Sequence, residues 1–535
     1  MMKNINLHFF YIGGLIILLL SLHPWFLYLW TQAVNHDMAF LSLSAQKFLA
    51  GEKMSEAFFD TNPPLSILIY IPAVLLAKLS TLPLYHVLNI YYFSAIALSS
   101  CAVYLLLKKT PNFTPPMIFA VLALYIAMNI IFPIYDFGQR EHLLVLGLLP
   151  LVLLQALITQ KIRVNTVLQV AVLTLSSIVI LLKPHFGIVP AAIFIHRAIT
   201  QKRITIFKDI DFLFLSFMAL LYGLIIYIFF NDFLTIILPA VLNYYAGDTN
   251  DVVYDVTALL IIQASVPYLI YRFFTRDGHS LIAVFSVIAM LCAIPVLLQF
   301  KGWAYHTIPS YFFFFLSCSL VAYSLIEETI NSAVKSKEMN GVFIYLIIIS
   351  LLCYQAQTST PPSPPTHAEY KNSKLAKIVS DCGDDCSFYL YNNMIDMPHK
   401  ISIYTDKTHA SRFPYFWFLP PLMQMGDVPE TQKKAEEGKA YYASLITEDF
   451  KTHKPDILII GNMHLINYDT VKFDFVDFMM AYDEDFKFVW DDYIFEQSLD
   501  IDRANYMVEK RPDETTIQYD VYRKRNSLTP KGIEK

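Results

Sequence analysis

The sequence predicts a polytopic α-helical membrane protein of about eleven transmembrane helices, followed by a C-terminal extracytoplasmic α/β domain. Three observations carry this. Of 535 residues, 56% are hydrophobic and 16% are charged, against about 25% charged in an ordinary soluble domain. Apolar runs of spanning length recur through the first 357 residues. Beyond Gln357 the composition changes abruptly to a proline-rich stretch and then to a charged, mixed one. The net charge of -5 supplies no basic field for nucleic acid, so no nucleic-acid partner is expected.

Taken in order, the expected spans are 9–30, 84–107, 115–134, 142–159, 164–182, 185–198, 210–230, 252–275, 280–299, 303–325 and 341–357. The first is too long for a signal-peptide core and has no small-residue cleavage site, so it remains in the mature chain. Segment 64–80 is short and proline-flanked, and is read as a helix at the interface. Charge placement bears on this choice, because short cytoplasmic loops collect Lys and Arg. With 64–80 not spanning, Lys3, Lys108, Lys109, Lys161, Arg163, Arg197, Lys202, Arg203, Lys208, Arg272, Arg276, Lys335 and Lys337 fall on one side. Lys47, Lys53, Lys78, Arg140, Lys183 and Lys301 fall on the other. This bias predicts a cytoplasmic N-terminus, with loops 31–63, 135–141, 231–251 and 300–302 outside.

The organisation expected is a membrane domain over 1–357 with its first outside loop at 31–83, a stiff linker over 358–370, and an outside domain over 371–535. In that last domain SFYLY (387–391), KISIY (400–404), DILII (456–460) and FKFVW (486–490) read as strands, and 429–450 as a helix. Cys101, Cys292, Cys318 and Cys353 lie in apolar stretches and read as packing residues. Cys382 and Cys386, in DCGDDC, lack zinc-site spacing; a local disulfide and two free thiols stand equally open.

The polar residues of interest sit in the outside loops. The first, NHDMAFLSLSAQKFLAGEKMSEAFFDTNPPLS, puts Asp37 just after the first span and Asp60 before Pro63-Pro64. Two carboxylates flanking an interfacial helix suit a general base and a metal ligand; the structural alternative is that Asp37 caps a helix starting near Met38. The second loop, DFGQREH, runs Arg140, Glu141 and His142 into the next span, either facing a cavity or as an ionic anchor at the boundary. LKPHFG and QFKGWAYH add Lys183, His185, Lys301 and His306. With Arg140 these form a candidate cationic pocket for a lipid phosphate, although any single lysine at such an edge is commonly a snorkelling one.

HDMAF, LAGE and FFDTNPPLSILIYIP together resemble the first extracytoplasmic loop of GT-C superfamily glycosyltransferases, in the bacterial branch related to aminoarabinose transferases and protein O-mannosyltransferases. FGQREHLLVLGLLPLVL, KPHFGIVP, KGWAYHTIP, THASRFPYFWFLPPL and YDVYRKR resemble further motifs of that group, in the same order. The resemblance implies a bacterial inner-membrane enzyme that moves a sugar from a polyprenyl-phosphate donor to a lipid, glycan or protein acceptor outside the cytoplasm. It implies Asp37 as the base toward the acceptor hydroxyl and Asp60 near a second acidic position. Arg140 and Glu141 fall where relatives carry a polar or acidic residue against the donor. REH stands in place of the family Asp, so a divalent metal ion held by Asp37, Asp60 or Glu141 is left open. The rival readings are a transporter or flippase, expected to carry ionisable groups near the bilayer midplane, and a polysaccharide polymerase or ligase.

Overall fold

The computed structural model describes residues 2–111, 113–133, 136–245, 252–274, 280–299, 301–333, 365–391, 395–465, 468–502 and 516–525. The expected span 341–357 lies outside them. The chain divides into two compact units: a helical unit of 1–30, 89–225 and 249–362, and a mixed unit of 31–88, 226–248 and 363–535.

Among the described residues six helices are long and apolar enough to cross a membrane: Leu84–Leu107, Arg140–Thr159, Ile210–Phe229, and stretches Val252–Ile270, Leu281–Gln299 and Ala304–Ser324. Shorter apolar helices cover Ile16–Thr31, Met117–Ile131 and Thr166–Leu182. The expected span 185–198 is a 3-10 turn, Pro184–Gly187, leading into the 14-residue helix Ile188–Gln201. Segment 64–80 forms two short helices, Leu65–Leu68 and Ile71–Leu79.

Arg140–Thr159 is buried along most of its length and forms the centre of the helical unit. Ile210–Phe229 is the opposite: Leu213, Phe217, Leu220, Leu224 and Phe229 are all exposed. An apolar surface of that extent suits lipid, not water. Small and hydroxyl-bearing residues make the helix contacts. A Cβ at Gly147 would lie 3.2 Å from the Cα of Ser176, and Ser176 Oγ donates to the Gly147 carbonyl at 2.9 Å. Ser99 Oγ reaches both Tyr125 Oη (2.6 Å) and the Leu146 carbonyl. Ser286 and Ser317 bond to each other at 2.7 Å. Close backbone approach and hydroxyl bonds are what hold helices together where lipid removes the hydrophobic drive. Cys101, expected to be buried, is exposed on its helix, whereas Cys292 is buried.

The mixed unit is built on a six-stranded sheet: β1 Ser387–Tyr391, β2 Thr408–His409, β3 Ile457–Leu465, β4 Tyr468–Phe473, β5 Tyr493–Asp502 and β6 Thr516–Lys524. The order is β2-β1-β3-β6-β5, with β4 paired to β3. β1 runs parallel to β2 and β3, and the remaining pairs are antiparallel. Phe388, Leu390, Ile457, Ile459, Tyr519 and Val521 form its buried face.

Two expected strands are helices. KISIY lies in Asp396–Thr405, where Met397, Ile401 and Tyr404 are buried at spacings of four and three, one face of a helix. FKFVW is the helix Phe486–Trp490, its end residues stacked at 5.9 Å one turn apart. The expected helix at 429–450 is Gln432–His453. Its Gly438 is required by packing, since a Cβ there would sit 2.9 Å from the Tyr244 ring. Cys382 and Cys386 form a disulfide.

The first loop joins the sheet domain through main-chain bonds. Ala33 N–H donates to the Pro365 carbonyl (2.9 Å), Val34 N–H to Tyr404 Oη (2.8 Å) and Phe59 N–H to the Arg412 carbonyl (2.7 Å). Segment 226–248 joins through Tyr244 against Tyr442 and Tyr245 against Trp417, ring centroids 5.7 and 5.4 Å apart.

Candidate functional site

Three helix boundaries of the helical unit converge on one carboxylate. Glu141, in the first turn of Arg140–Thr159, is fully buried. Lys183, which ends Thr166–Leu182, brings Nζ to 3.0 Å from Glu141 Oε1. His306, in the turn before Ile308–Ala333, holds Nε2 at 3.8 Å from the same oxygen. Lys183 Nζ also donates to Gln299 Oε1 at 3.1 Å. The charges of Lys183, Arg140, His185 and Lys301 all act on His306. Of the five residues expected to form a cationic pocket, Lys183 and His306 meet at Glu141, and the charges of the other three reach His306.

The local backbone explains how they arrive there. Gly138 adopts φ +85°, the left-handed region that favours glycine, and reverses the chain ahead of Arg140. Tyr92 Oη donates to the Gly138 carbonyl (2.6 Å) and the Gly138 N–H donates to His142 Nδ1 (3.2 Å). His142 is thus occupied in fixing the turn that delivers Arg140 and Glu141. On the other side, Lys183 and Lys301 both end spans, and the 3-10 turns Pro184–Gly187 and Ala304–Thr307 carry His185 and His306. Arg140, Lys183 and Lys301 bring positive charge to these span ends beside Glu141. Cationic side chains gathered in this way suit an incoming anion.

The two acidic residues of the first loop belong to the mixed unit. The helix His36–Leu49 begins two residues earlier than expected, and its cap is Asn35, whose Oδ1 accepts the Asp37 N–H at 2.9 Å. Capping is therefore not the task of Asp37. Asp37 occupies the first turn, where the helix dipole favours a carboxylate, and its Oδ1 lies 3.7 Å from His36 Nε2. One turn on, Phe40 packs on His399 at 4.8 Å. Asp60 shapes the turn into Pro63-Pro64. Its Oδ1 accepts from Asn62 N–H (3.1 Å) and Nδ2 (2.9 Å), and its Oδ2 from Ser66 Oγ (3.1 Å). Among the described residues no three His, Cys, Asp or Glu side chains are grouped to hold a metal ion.

Sequence reasoning did not single out Arg412, although it lies in the THASRFPYFWFLPPL motif. Its Nε donates to Asp449 Oδ1 at 2.7 Å, one Nη to Glu448 Oε2 at 2.8 Å, and the other Nη to the Ser55 carbonyl at 3.3 Å. Burial pushes the Asp449 carboxyl up to about 6, against the pull of Arg412. Ser55 N–H in turn donates to Asp232 Oδ2 at 2.8 Å. Arg412 thereby fastens the first loop to the sheet domain. The Arg in an otherwise aromatic run was the available signal; its partners, 36 and 37 residues away, were not.

No family model and no curated protein matches the chain. Among the solved structures similar to it are two of ArnT from Cupriavidus metallidurans. The apo crystal structure aligns with TM-score 0.49 at 11% identity, over 86% of this chain and 93% of that one. The structure bound to undecaprenyl phosphate aligns with TM-score 0.41 at 11% identity, over 85% and 92%.

Proposed function

We propose that the chain is a membrane glycosyltransferase that takes a sugar from a polyprenyl-phosphate donor and passes it to an acceptor hydroxyl outside the cytoplasm. The observation that carries this reading is the meeting of Lys183 and His306 on Glu141, with the charges of Arg140, His185 and Lys301 acting on the same histidine. A glycosyl phosphodiester has one negative charge; the polyprenyl phosphate left after transfer approaches two at neutral pH, as phosphomonoesters do. Cationic side chains held at this place match the leaving group better than the donor. Binding that improves as charge develops on the leaving group lowers the barrier to transfer. Arg140, Lys183 and Lys301 are assigned to the phosphate, with His185 and His306 beside them, and Glu141 to orienting Lys183. Asp37 is the base toward the acceptor, with Asp60 holding the loop that carries it. No metal-dependent step is derived, because Glu141 is engaged with Lys183 and Asp60 with its own turn.

The sidedness follows the same reading. Segments 31–88, 226–248 and 363–535 form one compact unit, and segments packed into one body share a side of the membrane. The expected spans put an even number of crossings between them, six and then four. A disulfide between Cys382 and Cys386 suits an oxidising, extracytoplasmic side.

The test is to purify the chain, supply undecaprenyl phosphate carrying radiolabelled sugars with a membrane lipid extract as acceptor, and follow label leaving the donor. Transfer is expected in the wild type. In Asp37→Asn, which cannot take a proton, turnover should fall by ~10²–10⁴ with donor binding intact. Label that stays on the donor across hexoses and pentoses, or full activity in Asp37→Asn, contradicts the respective assignment.

A further inference from the structure

Asp37 has two imidazole neighbours, and they differ in access to water. His36 Nε2 lies 3.7 Å from Asp37 Oδ1, and its side chain is 31% exposed where that of Asp37 is 10%. His399 is buried, its ring against Phe40 and its Nε2 donating to the Pro414 carbonyl at 3.0 Å. A buried base that accepts a proton must release it before the next turnover, and a proton held in a low-dielectric site needs a carrier to reach solvent. His399 is closed to water. His36 touches both the carboxylate and the solvent.

We propose that His36 is the relay through which Asp37 returns its proton to water. The inference rests on the glycosyl-transfer reading above. The acceptor O–H bond breaks as its oxygen forms the new bond to the anomeric carbon, and the bond from that carbon to the polyprenyl phosphate breaks with its electron pair kept by the phosphate. The proton passes to Asp37, then to His36 Nε2, and the imidazolium loses a proton to water, restoring both groups. Separations near 3.7 Å between such partners in a ligand-free site shorten when substrate closes it. Lys47, on the helix that carries both residues, and His399, on Asp396–Thr405, are charged or titratable groups that also act here. Asp37 also lies in the first turn of its helix, which stabilises its carboxylate form and favours delivery of the proton onward.

The experiment measures transfer by the full-length protein from radiolabelled undecaprenyl-phosphate sugar to a membrane lipid extract, between pH 6 and pH 9. His36→Gln is expected to lower kcat roughly ten- to a hundredfold, at or below the low end for a positioned acid-base group. The donor KM should be unchanged, and the dependence of kcat on pH should flatten. In His36→Ala, added imidazole should restore turnover in proportion to its free-base concentration. Wild-type kcat in His36→Gln overturns the relay. So does a loss that imidazole leaves untouched and that comes with a raised donor KM, the mark of a structural role. If the wild type itself moves no label from any donor, the transfer reading fails, and the relay with it; activity in the wild type with indifference at His36 removes the relay alone.

Discussion

The helical unit buries two charge clusters, and they are composed differently. At one, Arg197 is sealed: Nη1 donates to Asp211 Oδ2 (2.6 Å) and Gln155 Oε1 (2.9 Å), and Nη2 to Asp211 Oδ1 (3.1 Å) and Asp209 Oδ2 (3.2 Å). Arg203 completes it on Asp209 at 2.6 Å, so two arginines meet two aspartates. At the other, Lys183 and His306 meet Glu141, and the charges of Arg140, His185 and Lys301 act on the same histidine. The first ties three helices together through bidentate bonds from a guanidinium to carboxylates. The second is built on lysine and histidine at span ends. A planar fork gripped by carboxylates fastens, and the second cluster is the one assigned to the donor phosphate.

The largest effect is expected at the matched cluster. Arg197→Met leaves Asp211 buried without its bidentate partner, which typically costs ~3–5 kcal/mol. Thermal unfolding in detergent should fall accordingly, while the protein that remains folded keeps its affinity for polyprenyl phosphate. An unchanged melting temperature would show that the arginine is not the fastener it looks.

A second effect sharpens the contrast within the mixed unit, where Arg412 and Asp449 are paired but two histidines are buried neutral. Burial pushes His399 down to about 3 and holds His409 well below the usual range. Groups with depressed values stabilise the fold above their unfolded pKa of about 6.5 and lose that contribution as pH falls toward the folded value. For His399 the loss at pH 5 is about 2 kcal/mol. Asp449, raised to about 6, has the opposite sign: its contribution is present below about 4 and lost as pH rises through 6, so it offsets part of the acid loss. Melting curves at pH 7 and pH 5 should show net destabilisation in acid, and His399→Gln should lose about 2 kcal/mol less between the two. Equal acid sensitivity in that variant would contradict the buried neutral state.

The helices were legible in the sequence because they rest on local information, apolar run length; the approach of Lys183 and His306 to Glu141 joins three helix ends and needed the fold. The cap was misread because Asn35 and Asp37 are both good cap residues, and only backbone geometry separates them. KISIY deceived because two β-branched residues, Ile401 and Ile403, set two apart satisfy period two, while the burial of Met397, Ile401 and Tyr404 reveals the helical period only over ten. β5 went unread because most of its side chains are exposed or half-buried and carry little apolar alternation. Arg197 was counted among cytoplasmic loop charges; its partners Gln155 and Asp211 come from two other helices. Arg412 to Asp449 is likewise a tertiary pairing that no local pattern announces.

The central claim, that the cluster around Glu141 holds the donor phosphate, is tested most directly by the dissociation constant of undecaprenyl phosphate for the wild type, Lys183→Ala and Arg197→Lys, measured on folded, purified protein. Losing a charged hydrogen bond to the phosphate costs ~1.5–3 kcal/mol, so Lys183→Ala should bind one to two decades more weakly, with Arg197→Lys at the wild-type value. Wild-type affinity in Lys183→Ala, or an equal loss in both variants, would contradict it.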